Sequence, residues 1–189
     1  LGWHHVRFDW KNMIIETATL ETCATADDVV VVIDVLRAFS TAAYALAAGV
    51  RRILLVSGVE EALALRARIP ASLAMGEVKG IKAPGFDLGN SPFELHGHDL
   101  CGRTLIHRTS AGTQGMVRAV NARMLFGASV VCAAATVRAV QAHHPRQVTL
   151  VVTGQRPGND ADEDQACAEY LIALLRGETP DAAPYLQRV

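Results

Sequence analysis

Aromatic side chains are scarce in this chain of 189 residues: Phe, Trp and Tyr make up 5% of it. Lysine is scarcer, with 3 Lys against 15 Arg. No sign of charge dominates. The 18 basic and 19 acidic residues leave a formal net charge of -1, so the electrostatic footprint of a bulk nucleic-acid binder is missing. No uninterrupted apolar run reaches the roughly 18–20 residues that span a bilayer, and no basic–apolar–small pattern reads as a signal peptide. The four cysteines, Cys23, Cys101, Cys132 and Cys167, form no CxxC pair. Neither a zinc site nor a redox motif is supported, and four reduced thiols, mostly buried, in a cytoplasmic protein are expected. There is no GxSxG nucleophile elbow, and no Walker A loop with its lysine.

What is abundant is alanine, 30 residues of the chain, within an apolar fraction of 50%. Close packing of helices and strands is implied, and the length suits one domain over residues 1–189. Val29–Asp34 (VVVVID) is an unbroken β-branched run, as in strands buried on both faces of a parallel sheet. Helix follows at Ser40–Ala48, strand at Arg52–Val56, helix at Val59–Arg68 and a short strand at Ser72–Met75. After the Gly- and Pro-containing stretch Gly76–Pro92 the rhythm resumes. Arg103–His107, Met124–Phe126 and Gln147–Thr153 read as strands. A helix running to about Asn121, then Ala134–His143 and Asp160–Arg176, read as helices. His4–Trp10 is a candidate edge strand. The pattern predicts a three-layer α/β/α sandwich on a mostly parallel or mixed sheet.

In open parallel sheets ligands bind beyond the carboxyl ends of the strands. Asp34 and Arg37 stand at such a place; they can serve a metal and an anion, or Asp34 can cap the next helix and pair with Arg37. Glu77 follows a strand, and Asp87 and Asn90 lie in a Gly-rich segment that admits a ligand close to the backbone. The same segment reads equally as a structural Ω-loop. Thr109-Ser110-Ala111-Gly112-Thr113 offers backbone N–H groups and hydroxyls to a phosphate or sulfonate, or is an ordinary helix cap. Asp160–Asp164 suits a helix start electrostatically and can also help hold a divalent cation. Among the histidines, His96 and His98 read as a turn, and His143 and His144 as a helix end. His107 ends a strand near the Ser110 loop.

In order along the chain stand IDVLRA (Ile33–Ala38), Gly76-Glu77, GFDLGNSP (Gly85–Pro92), TSAGT (Thr109–Thr113) and Glu163-Asp164 with Cys167-Ala168. Together they resemble the 2-phosphosulfolactate phosphatase family over roughly residues 28–176, GFDLGNSP being the most specific part. The resemblance implies a magnesium-dependent phosphatase that hydrolyses 2-phospho-3-sulfolactate to 3-sulfolactate and phosphate, a step toward coenzyme M. It implies catalytic roles for Asp34, Arg37, Glu77 and Asp87, and substrate contacts from Arg37, Asn90, Ser110, Ala111, Gly112 and Thr113. Asp34, Glu77, Glu163 and Asp164 become the magnesium ligands. Family members often carry Arg directly after the Gly-Glu pair and Asn before the glycine of the TSAGT segment; here these are Val78 and Ala111. They also usually continue further, so a C-terminus shortened at Val189 is expected.

A phosphate monoester carries about two negative charges near neutral pH, and carboxylates alone repel it; Mg²⁺ reverses that sign. Arg37 and the Ser110–Thr113 amides are expected to grip the phosphoryl oxygens. In-line attack by water and by a carboxylate are both open. Water is preferred, because the second Asp of a haloacid-dehalogenase pair is replaced by Leu36. Two rival readings remain: a phosphatase of another small phosphorylated hydroxy acid, and a non-catalytic anion-binding protein. The expected partners are a small phosphorylated acid and a second copy in a homodimer, with neither nucleic acid nor membrane.

Overall fold

The five residues Val29–Ile33 are all buried, and the rest of the fold is arranged around that strand. The computed structural model describes residues 13–154 and 162–189. Its strands are β1 (Ile14–Thr19), β2 (Val29–Ile33), β3 (Arg52–Leu55), β4 (Leu73–Val78), β5 (Ile81–Lys82), β6 (Thr104–Arg108), β7 (Met124–Ala128) and β8 (Gln147–Val152). The helices are α1 (Ala38–Ala47), α2 (Val59–Arg68), α3 (Gly112–Arg118), α4 (Ala133–Ala142), α5 (Asp162–Leu175) and the short α6 (Ala183–Leu186). The strands form two sheets of four, ordered β1-β8-β2-β7 and β3-β6-β4-β5. Every pairing is parallel except that of β5, which folds back antiparallel on β4.

The β2 run is continuous rather than alternating because both of its faces are covered. Val29, Val31 and Ile33 pack with Val137 and Val140 of α4 and Cys167, Leu171 and Leu175 of α5. Val30 and Val32 pack with Phe39 of α1 and Ala119 beyond α3. In the second sheet Met75 and Leu105 meet Ala45 of α1, while Ala74 and Ile106 meet Ala62 of α2 and Phe86. Each sheet is thus layered between helices, and α1 serves both, Phe39 on one and Ala45 on the other. Small residues make this possible: a Cβ on Gly127 would sit 2.7 Å from the Phe39 ring, and Ala38, Ala45, Ala62 and Ala168 are fully buried.

The expected α/β/α layering holds, carried by two sheets. The edge strand β1 is absent from the sequence reading, because its half-exposed pattern, IIETAT, lacks a clean alternation. The stretch Gly76–Pro92 is more structured than a loop: it contains β5, and Leu88 bridges to Met75. The third helix ends at Arg118, short of Asn121. His4–Trp10, Asp160 and Ala161 lie outside the described residues. All four cysteines are free; Cys23 and Cys167 are buried, Cys132 is intermediate and Cys101 exposed. Among the described residues no helix is long and apolar enough to cross a membrane.

Candidate functional site: an acid-lined cavity between two sheets

Four parallel strands end at one place. Asp34 follows β2 and Thr153 follows β8, from the first sheet. Glu77 lies at the end of β4, and Ser110 comes shortly after β6, from the second. Between them lies a cavity of about 500 Å³, to which Glu163 and Asp164 contribute from the first turn of α5. Arg37, Lys79 and Asn90 add polar groups to its wall, with Leu36 and Ala111 beside them. The Leu36–Arg37 peptide at its rim is cis.

The carboxylates are held by backbone. Asp34 is 6% exposed; its Oδ1 accepts the Ala38 N–H at 2.9 Å and its Oδ2 the Gly112 N–H at 2.8 Å. It therefore links the first turn of α1 to the start of α3. Asp164 accepts the Val35 N–H at 2.7 Å and the Gly154 N–H at 3.0 Å. Glu77 accepts Ser110 N–H at 2.5 Å, Gly80 N–H at 2.6 Å and the Ser110 hydroxyl at 3.0 Å. Burial pushes the Asp34 carboxyl up; its two N–H donors oppose this, and the charges of Glu77 and Glu163 add to it. Burial, reinforced by the charge of Asp34, raises Asp164 to about 7, against the pull of its two amides. Among the described residues none of these acids has an ion-pair partner. Crowded, buried and unneutralised carboxylates call for a cation.

Gly112 is a steric requirement of this arrangement. A Cβ there would lie 2.7 Å from Asp34 Oδ2 and 2.8 Å from the Ala38 Cβ. Gly76 is stricter: with φ at +133°, its Cβ would lie 1.8 Å from the Arg108 carbonyl oxygen.

Positive charge reaches the cavity from Arg37 and Lys79, neither of which forms a salt bridge among the described residues. Val78 faces the α2 side, packed near Ala62 and Phe86, so its neighbour Lys79 is the residue that reaches the cavity. Arg108 instead braces the site, donating from one nitrogen to the Glu77 carbonyl at 2.7 Å and from Nε to the Ser57 carbonyl at 3.1 Å.

The structure brings together Asp34, Arg37, Glu77, Asn90, Ser110, Ala111, Glu163 and Asp164, and leaves other expected residues out of the cavity wall. Asp87 is engaged elsewhere. It accepts a two-pronged ion pair from Arg66 at 2.6 and 2.5 Å, and the Ala74 N–H at 2.8 Å. Burial alone would raise its carboxyl, but Arg66 and that N–H hold it below the usual range. Its placement is that of a brace between α2 and β4. Thr113 is fully buried, exchanging hydrogen bonds with Thr109 at 2.7 to 3.0 Å. The amides of Ser110, Gly112 and Thr113 donate to Glu77, Asp34 and Thr109 respectively, so these three N–H groups already have acceptors within the protein. The GFDLGNSP segment is mostly a folding unit: Phe86 and Leu88 are core, and Asn90 is the member delivered to the cavity. Thr153 and Gly154 escaped the sequence reading. The rule that ligands sit beyond strand ends, applied to β8, points to both.

All the acidic donors are oxygen, the chemistry preferred by Mg²⁺. Among the described residues no group of three or more His, Cys, Asp or Glu side chains is positioned to hold one metal ion. That fits a hydrated cation held through one or two carboxylates, the usual manner of Mg²⁺, rather than an all-protein cage.

Fold and site together define an α/β protein with a cavity at the carboxyl ends of its parallel strands, lined by carboxylates and by Arg37 and Lys79. The family model described as 2-phosphosulpholactate phosphatase matches residues 14–187, and the chain belongs to that family. It is 45% identical over 152 residues to the "Probable 2-phosphosulfolactate phosphatase" of Carboxydothermus hydrogenoformans, covering 79% of this chain and 61% of the relative. Proteins of the same name from Bacillus subtilis (35% over 163 residues, 86% of this chain, 71% of the relative) and Deinococcus radiodurans (39% over 160 residues, 82% and 67%) are also similar. The chain thus spans about three-fifths to seven-tenths of the length of these curated relatives.

Proposed function

We propose that this chain is a magnesium-dependent phosphatase that hydrolyses 2-phospho-3-sulfolactate to 3-sulfolactate and phosphate, a coenzyme M biosynthesis-type reaction. The observation that carries the reading is the pairing, in one cavity, of carboxylates that have no cation partner among the described residues with Arg37 and Lys79, which have no anion partner among them. Asp34 and Glu77 would hold the magnesium ion, with Glu163 or Asp164 contributing through water, since no three acids are placed to hold one metal ion among the described residues. Bound there, it would offset carboxylate charge and supply Lewis-acid polarisation to a phosphoryl oxygen.

Arg37 binds the phosphoryl group, since its planar fork matches two oxygens. Lys79 offers a compact charge to the sulfonate or carboxylate end. Both Asp34 oxygens already accept N–H groups, which favours water over Asp34 as the attacking group. Hydrolysis breaks the P–O ester bond, water supplying the oxygen to phosphorus and a proton to the departing alkoxide. A second reading, another phosphorylated hydroxy acid as substrate, is favoured by the small Ala111 side chain at the cavity wall. A cytoplasmic location and a homodimer belong to the same proposal, to be checked by cell fractionation and light scattering.

The test is phosphate release from a panel of small phosphoesters, with Mg²⁺ and with a chelator. Magnesium-dependent release, fastest from phosphosulfolactate, supports the reading. Release from none of them, with phosphate binding retained, supports the anion-binding rival.

A further inference from the structure

His107 occupies the centre of the second sheet, opposite Leu55 of β3 and Met75 of β4. It is fully buried. Its Nε2 lies 3.1 Å from Asn90 Oδ1, and its Nδ1 has no hydrogen-bond partner among the described residues. Asn90, 6% exposed, lines the cavity. An aliphatic side chain would suit such a strand position better, because burying a polar ring with one nitrogen unpartnered costs stability. Among the described residues the ring's one hydrogen bond is with a residue that lines the cavity.

Two neutral arrangements of this pair are conceivable. In one, Nε2–H donates to Asn90 Oδ1 and Nδ1 keeps a bare lone pair. In the other, the amide is reversed, Asn90 donates to Nε2, and the ring proton sits on Nδ1 as a buried donor with no acceptor. Orphaned buried N–H groups are rarer than under-satisfied acceptors. The reversed amide would also turn a carbonyl oxygen toward a cavity already walled by acids and meant for an anion, whereas the first arrangement turns the NH₂ group there. A cationic ring is excluded, because burial lowers the His107 pKa to about 3.

We infer that His107 is a positioning residue: as the Nε2-protonated neutral tautomer it fixes the Asn90 amide so that its NH₂ group donates into the cavity, to an anionic oxygen of the ligand. The catalytic consequence rests on the phosphatase reading, but the tautomer and the anion contact do not.

The experiment combines ring-nitrogen NMR of uniformly ¹⁵N-labelled protein with two variants whose folding is checked by thermal unfolding. His107→Gln keeps an N–H donor, and His107→Leu removes it at similar size. The His107 signals are assigned as those missing from the Gln variant. The wild type is expected to show the proton on Nε2 from pH 5 to 8. With Mg²⁺ present, the Leu variant is expected to bind inorganic phosphate about tenfold more weakly, and the Gln variant within about threefold of wild type. KM for phosphosulfolactate should rise in parallel in the Leu variant, with a smaller change in kcat. A proton on Nδ1, or a folded Leu variant that binds phosphate like wild type, overturns the inference, as does a Gln variant no better than Leu. Should the Leu variant not fold, the spectra and the Gln variant decide. If the phosphate pattern holds while wild type hydrolyses no phosphoester, the positioning role stands and the phosphatase reading falls.

Discussion

Replacing Gly112 by Ala adds one methyl group at the point where the two sheets are tied together. The glycine has no unusual φ, so the effect arises from space alone. The new Cβ would stand 2.7 Å from Asp34 Oδ2, 2.9 Å from Asp34 Cβ and 2.8 Å from Ala38 Cβ. Either the loop after β6 retreats or the Asp34 carboxylate swings away. Both stretch the hydrogen bonds from the Gly112 and Ala38 amides, now 2.8 and 2.9 Å. Overpacking costs about 1–3 kcal/mol, and a weakened hydrogen bond to a charged group adds roughly 1–2 kcal/mol. At about 2–4 °C per kcal/mol for a chain of this size, Tm should fall by about 5–15 °C. Displacing a charged site residue by about 1 Å typically costs on the order of a hundredfold in rate. The assay pairs thermal unfolding with magnesium-dependent phosphate release. Gly58→Ala is the control, because the nearest atom to its Cβ is 3.8 Å away; it should stay within about 1 kcal/mol of wild type and keep its activity. A Gly112→Ala protein with wild-type Tm and turnover would refute the steric argument.

The raised pKa of Asp164 predicts an inverted pH profile of stability in the metal-free protein. Its folded value of about 7 lies above the ordinary unfolded value of about 3.9. Its contribution is therefore fully present below about pH 4 and is lost as pH rises through 7, with an amplitude on the order of a few kcal/mol. With a chelator present, Tm should decline from pH 5 to pH 8, and Mg²⁺ should restore more stability at pH 8 than at pH 5; equal Mg²⁺ effects at both would contradict the crowded-carboxylate reading. Asp87→Asn should lower Tm by weakening the Arg66 ion pair, by about 1 kcal/mol since Arg66 is partly exposed. Turnover should stay within a few-fold of wild type, and a hundredfold loss with an intact fold would return Asp87 to the catalytic set.

Much of the framework is legible locally. VVVVI announces a strand with both faces covered, and VEEALALRAR between Gly58 and Ile69 announces its own helix, with acids first and arginines last. The edge strand Ile14–Thr19 is illegible because edge positions bury little, so no pattern is imposed on them. The site divides in the same way. The acids at strand ends can be found from the sequence. What their neighbours do cannot, because the contacts that decide it are distant in the chain. Asp34 meets Gly112 across 78 positions, and Asp164 meets Val35 across 129. Nothing in the TSAGT segment itself says that carboxylates distant in the chain take up the amides of Ser110 and Gly112. GFDLGNSP looks catalytic as a block, yet its aspartate serves Arg66 and its asparagine serves the cavity.

The acids gathered between the two sheets are proposed above as a magnesium-dependent phosphatase site. The most direct measurement is phosphate release from 2-phospho-3-sulfolactate by wild type, Asp34→Ala and Glu77→Ala, with Mg²⁺ and with a chelator. Release by wild type should require Mg²⁺ and be abolished in both folded variants. Undiminished release by both variants would contradict that proposal.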